Sequence, residues 1–163
     1  MVALKVEDVR SFTSKLFVKE DFDRFLVKEI NIITYNSFTI DGHVRQGYYT
    51  QEELEENRIE DFSSWKVLKP LCFSLIKGKK LPGSFHIVLS LAPGDVEKFA
   101  SSLGTGIDGS QIQGLYLNIR YEDGALYCVT GTSLNLFTMD KILENEWDKA
   151  VEKFMRSHEI VCT

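Results

Sequence analysis

Asp41, His43, Arg45 and Tyr48 lie within eight residues of one another and bring together four different kinds of polar side chain. A carboxylate, an imidazole and a guanidinium this close can hold an anion or a carboxylate. The guanidinium supplies paired donors, and the imidazole changes charge near neutral pH. A second set is basic: Lys77, Lys79 and Lys80 in the run KGKK, to which Arg120 can be added. Such a set suits phosphate, and Tyr116, Tyr121 and Tyr127 offer rings on which bases can stack. Lys77 at a helix C-terminus is equally explained by the helix dipole.

The remaining motifs carry less chemistry. Gly104-Thr105-Gly106-Ile107-Asp108-Gly109 has GxGxxG spacing, but dinucleotide binding needs a strand before that turn and a helix after it. Here a helix precedes and a strand follows, so the stretch reads as a connector. His43, His86 and His158 show no ligand spacing, and Cys72, Cys128 and Cys162 form no CxxC pair. No metal and no cofactor are therefore expected. With no Ser/His/Asp or Cys/His grouping, no catalytic residue is assigned. Widely spaced cysteines, odd in number and set in apolar patterns, read as buried thiols in a reducing compartment, the cytoplasm.

The elements that must position these residues follow from periodicity. Leu4 to Val6 reads as a strand, and Val6, Val9, Phe12 and Leu16 give helical spacing over Glu7 to Leu16. The β-rich stretch Asp23 to Tyr35 reads as one long strand. Phe38 and Ile40 alternate into Asp41-Gly42, and Val44, Gln46 and Tyr48 alternate away, which predicts a hairpin with the first candidate site at its tip. Ser63-Ser64 caps a helix bearing Trp65, Leu68 and Cys72, which Pro70 should kink or restart and Lys77-Gly78 should close. Ser84 to Leu91 is a strand, and Pro93 opens a helix to Leu103. A second Asp-Gly hairpin centres on Asp123-Gly124, and a last helix beginning near Asp140 carries Leu143, Trp147, Val151 and Phe154.

The expectation is a single α+β domain over residues 1–163, with a largely antiparallel sheet and helices on one face. The order strand, helix, strand, hairpin, Trp-bearing helix occurs twice, defining possible pseudo-repeats over 1–80 and 84–157. DVRSFTSKL and DVEKFASSL match at five of nine positions, and Gly42 to Gly124 spans 82 residues, as does Trp65 to Trp147.

Charge narrows the function classes. The net charge is −5. Residues 51–61 hold six acids and one Arg, also −5, so the other 18 acidic and 18 basic residues cancel. No basic footprint covers the chain. No apolar run is long enough for a membrane helix, and the N-terminus turns charged too early for an export signal. The first expectation is a non-enzymatic binding module that associates with a protein partner or with itself, through the sheet face or the acidic segment. The second is nucleic-acid association, and the third a small-molecule enzyme with a pocket near the first hairpin.

Three stretches, ALKVEDVRSFTSKLF (3–17), FTIDGHVRQGYY (38–49) and SSWKVLKPLCFSLIKGKKLPGSF (63–85), together resemble a family of short uncharacterised proteins from anaerobic Firmicutes, mainly gut Clostridia. The resemblance implies a cytoplasmic bacterial protein and brings no catalytic residues with it.

Overall fold

A computed structural model describes residues 1–78, 82–104, 106–135 and 141–163. In chain order the elements are β1 (Ala3–Lys5), α1 (Val9–Phe17), β2 (Leu26–Ile33), β3 (Ser37–Asp41), α2 (Gln51–Glu56), α3 (Trp65–Ile76), β4 (Ser84–Ser90), α4 (Pro93–Leu103), β5 (Ile112–Glu122), β6 (Ala125–Leu134) and α5 (Ile142–Ser157). Short 3-10 turns occupy Gln46–Tyr48 and Gly109–Gln111.

The strands make one six-stranded sheet in the order β1-β6-β5-β4-β2-β3, antiparallel at every step. Alternation decides its two faces. Phe85, Ile87 and Leu89 of β4, Leu115, Leu117 and Ile119 of β5, and Ile30 and Ile32 of β2 are buried on one side. The helices lay their apolar stripes against that side through Phe12 and Leu16 of α1, Trp65 and Cys72 of α3, Val96 and Ala100 of α4, and Leu143, Trp147 and Val151 of α5. The opposite side has no helix over it among the described residues. The α+β class and the single helical face are as the sequence predicts.

Both tryptophans fasten their helices. The buried Trp65 Nε1 donates to the Leu16 carbonyl at 2.7 Å, tying α3 to α1, and Trp147 Nε1 donates to the Tyr116 carbonyl at 3.0 Å, tying α5 to β5. Ser64 caps α3 by accepting from the Val67 N–H. Pro70 neither ends nor restarts this helix, which runs unbroken from Trp65 to Ile76. Pro70 is exposed, so water can take the carbonyl its missing N–H leaves free, and the packing of Trp65, Leu68 and Cys72 holds the helix together.

The two Asp-Gly pairs behave differently. Asp123 (φ 51°) and Gly124 (φ 78°) form the tight β5–β6 turn. Asp41-Gly42 makes no hairpin. β3 turns back on β2 through Thr34–Asn36, where the Thr34 N–H donates to the Asn36 carbonyl at 2.9 Å. The long strand expected over Asp23–Tyr35 therefore ends at Ile33. Gly42 is required for a different reason: a Cβ there would sit 1.9 Å from the Val27 carbonyl oxygen. Beyond it, His43 bridges Phe62 instead of pairing back along β3.

Each half of the chain thus runs β-α-β-β-α, with α2 added to the first. In the sheet β4 lies between β5 and β2, whereas β1 stands at the far edge beside β6. Asp140, near which the last helix was expected to begin, and Thr105 of the glycine-rich connector lie outside the described residues. The helix itself starts at Ile142.

Candidate functional site

Two irregularities at one end of the sheet build a cleft. The β2–β4 register shifts between Val27 and Glu29, and the β4-facing strand β5 shifts against β6 between Ile112 and Gly114. Such bulges re-aim side chains. Lys28, at the first, brings its Nζ to 4.5 Å over the Tyr116 ring. That ring lies on Gly114, where any Cβ would come within 2.2 Å of the Tyr116 ring carbon Cζ. Gly109 lets the following turn press against α4, since its Cβ would meet Glu97 Cγ at 2.8 Å.

The resulting cleft has a volume of about 290 Å³. Leu26, Leu91, Val96 and Ile112 give it an apolar floor, and Phe62 and Tyr116 give it aromatic walls. Lys28, Asp61, Glu97, Ser110 and Gln113 form its polar rim. Neither Asp61 nor Glu97 makes a side-chain ion pair among the described residues. Asp61 closes the acidic segment 51–61, so the most negative stretch of the sequence ends on the rim of the cleft.

The cleft borders the uncovered sheet face through Ser90 and Tyr116, a cross-strand pair that alternates to that side. One rung crosses all six strands there: Thr39, Asn31, His86, Arg120, Tyr127 and Lys5. His86 Nε2 contacts Asn118 Oδ1 at 3.3 Å, and Asn118 in turn donates to the Val129 carbonyl. His86 is thus a partnered residue of the open face.

The first predicted set is partly assembled. Asp41 accepts from the His43 backbone N–H at 2.9 Å and from Arg45 Nη2 at 3.0 Å, so its carboxylate is engaged by its own chain neighbours. The His43 ring stands edge-on to Phe62 at 5.4 Å, which places it beside the cleft wall. Tyr48 is 86% exposed and packs only edge-on to Tyr49 among the described rings. Of the basic set, Lys77 caps the C-terminus of α3 and Arg120 stands in the middle of the open face, while Arg45 of the first set is paired with Asp41. Lys79 and Lys80 lie outside the described residues.

Burial pushes the Cys72 thiol up to about 12. It also raises Cys128 strongly, with Cys162 adding to the effect, and raises Cys162 with help from Glu7. Thiols held protonated in this way are poor nucleophiles. No group of three or more His, Cys, Asp or Glu side chains that could hold a metal ion occurs among the described residues.

Sequence reasoning passed over Lys28, Glu97, Gly114 and Tyr116 as a group because they come from three distant segments. A signal was present in Gly114, a glycine inside an otherwise regular strand, which marks a bulge or a close approach.

The fold and cleft together define a two-layer α+β protein, one antiparallel sheet backed by helices on a single face, with an amphiphilic cleft at the sheet's end. No described helix is long and apolar enough to cross a membrane. The chain belongs to the family of unknown function DUF5721, whose sequence profile matches residues 15–162. No curated protein and no solved structure matches it.

Proposed function

We propose that the chain is a binding module whose cleft receives a segment of a protein partner, an apolar anchor flanked by basic residues. The observation that carries this reading is the composition of the cleft. Its 290 Å³ falls at the small end of ligand sites, about 300 Å³ and upward, and suits one or two inserted side chains. The floor rewards an apolar anchor. Lys28 is spent on Tyr116, leaving Asp61 and Glu97 as the rim charges that select cations.

The test is display of a random-peptide library against the full chain, followed by amide shift mapping with the best peptide. Enriched sequences should place Lys or Arg beside Leu, Phe or Trp, and the shifts should centre on Val96, Gly114 and Tyr116. Replacing both rim acids, Asp61→Lys and Glu97→Lys, should weaken binding by roughly tenfold, about 1.4 kcal/mol shared between two exposed charges. Enrichment without a basic preference, or shifts that avoid the cleft, refutes the reading.

A further inference from the structure

The two edges of the sheet are finished differently. Along β1, Lys5 and Thr163 exchange backbone hydrogen bonds of 3.1 and 2.9 Å, and the Glu7 N–H donates to the Val161 carbonyl. That edge is occupied. Along β3 no backbone hydrogen bond reaches the outer side among the described residues. β3 also lacks what usually blunts an edge: SFTID has no Lys, no Pro and no bulge against β2.

The phase of the free groups can be read off. In an antiparallel pair, alternate residues bond inward. The Gly42 N–H donates to the Lys28 carbonyl and the Thr34 N–H to the Asn36 carbonyl, so Asn36, Phe38, Ile40 and Gly42 face β2. Ser37, Thr39 and Asp41 therefore turn their N–H and C=O groups outward. We infer that β3 pairs antiparallel with β3 of a second copy about a two-fold axis at Thr39, joining two six-stranded sheets into one of twelve.

That register is self-complementary. Thr39 opposes Thr39 of the second copy, Ser37 opposes Asp41, and Phe38 opposes Ile40. Every outward N–H and C=O of the three residues finds a partner, and no like charges meet. The helix above completes the surface. Lys69 Nζ bonds Asp23 Oδ1 at 2.6 Å and the Lys19 carbonyl at 2.8 Å, so that flank of α3 faces the α1–β2 connection. Leu68, Leu71 and Leu75 line the opposite flank of α3, which packs on β2, the strand beside β3, and Leu71 is 52% and Val67 68% exposed. Tyr35, 87% exposed, stands at the β2–β3 turn. Tyr35 offers about 200 Å² and Val67 and Leu71 about 100 Å² each. These three side chains alone give roughly half of the ~800 Å² per partner of a stable interface.

Charge agrees with the antiparallel arrangement. α3 starts beside the Leu26 end of β2, where Ser64 bridges Leu26, and the chain rejoins β2 where the Gly83 N–H donates to the Ile33 carbonyl. Lys77 therefore lies toward the Ile33–Ser37 end, while the acidic segment follows the Asp41 end. A two-fold axis at Thr39 sets the basic end of each copy beside the acidic end of the other.

The experiment is sedimentation equilibrium on the full chain, with crosslinking to read the register. The wild type should sediment at twice 18.6 kDa. Thr39→Pro removes an outward donor only, which an edge strand tolerates, and Leu71→Arg charges the helix flank. Both should give folded monomers with unchanged circular dichroism. In a Cys162→Ser background, Thr39→Cys should oxidise to a covalent dimer across a pair about 5.5 Å apart. Ser37→Cys should not, because its counterpart lies four residues along the partner strand, roughly 13 Å away. A monomeric wild type overturns the inference, as does a Thr39→Pro variant that remains dimeric. Equal crosslinking by the two cysteine variants overturns the register.

Discussion

Gly42 and Gly124 occupy the same dipeptide, and they should obey opposite substitution rules. At Gly124 φ is +78° and nothing lies within 4 Å of the missing Cβ. The requirement there is purely conformational. Asn, which tolerates the left-handed region, should cost only a few tenths of a kcal/mol, and Ala should cost about 1 kcal/mol. At Gly42 the backbone is not left-handed, but a Cβ would meet the Val27 carbonyl oxygen at 1.9 Å and its carbon at 2.6 Å. Both obstacles are backbone atoms of β2, so relief requires β3 to move away from its neighbour and break the Gly42–Lys28 hydrogen bond. Overpacking of this kind costs about 3 kcal/mol or more, and the shape of the added side chain hardly matters. Gly42→Ala and Gly42→Asn should therefore be equally damaging. For a chain of this size, about 2–4 °C is lost per kcal/mol, so each should melt roughly 6–12 °C below the wild type in a calorimetric scan. The Gly124 pair should stay within about 4 °C of it. If Gly42→Asn is as mild as Gly124→Asn, Gly42 is a turn glycine after all and the close approach to Val27 is wrong.

Trp65→Phe keeps most of the apolar area but strands the Leu16 carbonyl at a buried site, for a loss of about 1–3 kcal/mol on chemical denaturation; an unchanged midpoint would show that the indole bond is dispensable. Cys72 predicts a decline at alkaline pH. The unfolded thiol ionises from about 9 while the folded one is held protonated to about 12, so stability should fall as pH rises across that window. Cys72→Ala should flatten that slope, and an unaltered slope would assign the decline to other groups.

Local chemistry explains which parts of the fold could be read in advance. The Ser64 cap, Pro93 at the first turn of α4, the Asp123-Gly124 turn and the alternation of β4 and β5 each depend on neighbours in sequence, and each is found where it was expected. Asp41-Gly42 misled because its glycine answers to Val27, a contact that no local pattern records. The true turn at Thr34–Asn36 was hidden inside a β-rich run. The cleft was less legible still, since its walls come from β2, α4, β5 and the segment before α3 and meet only through two bulges. The Asp41, His43 and Arg45 grouping was visible from spacing, though its proximity to the cleft depends on Phe62, nineteen residues beyond His43.

The placement of β1 beside β6 has a consequence for how the molecule comes into being. Ala3 is partnered by Val129, 126 positions later (129 minus 3), whereas β4, β5 and β6 pair with near neighbours in the chain. Closing so long a loop carries the largest entropic penalty of any pairing between the six strands. During synthesis β1 has no seat until residues 125–134 exist, and Leu4 and Val6 must wait for their packing partners. Of the six strands, β1 comes earliest in the sequence and is thus the one whose docking completes the sheet.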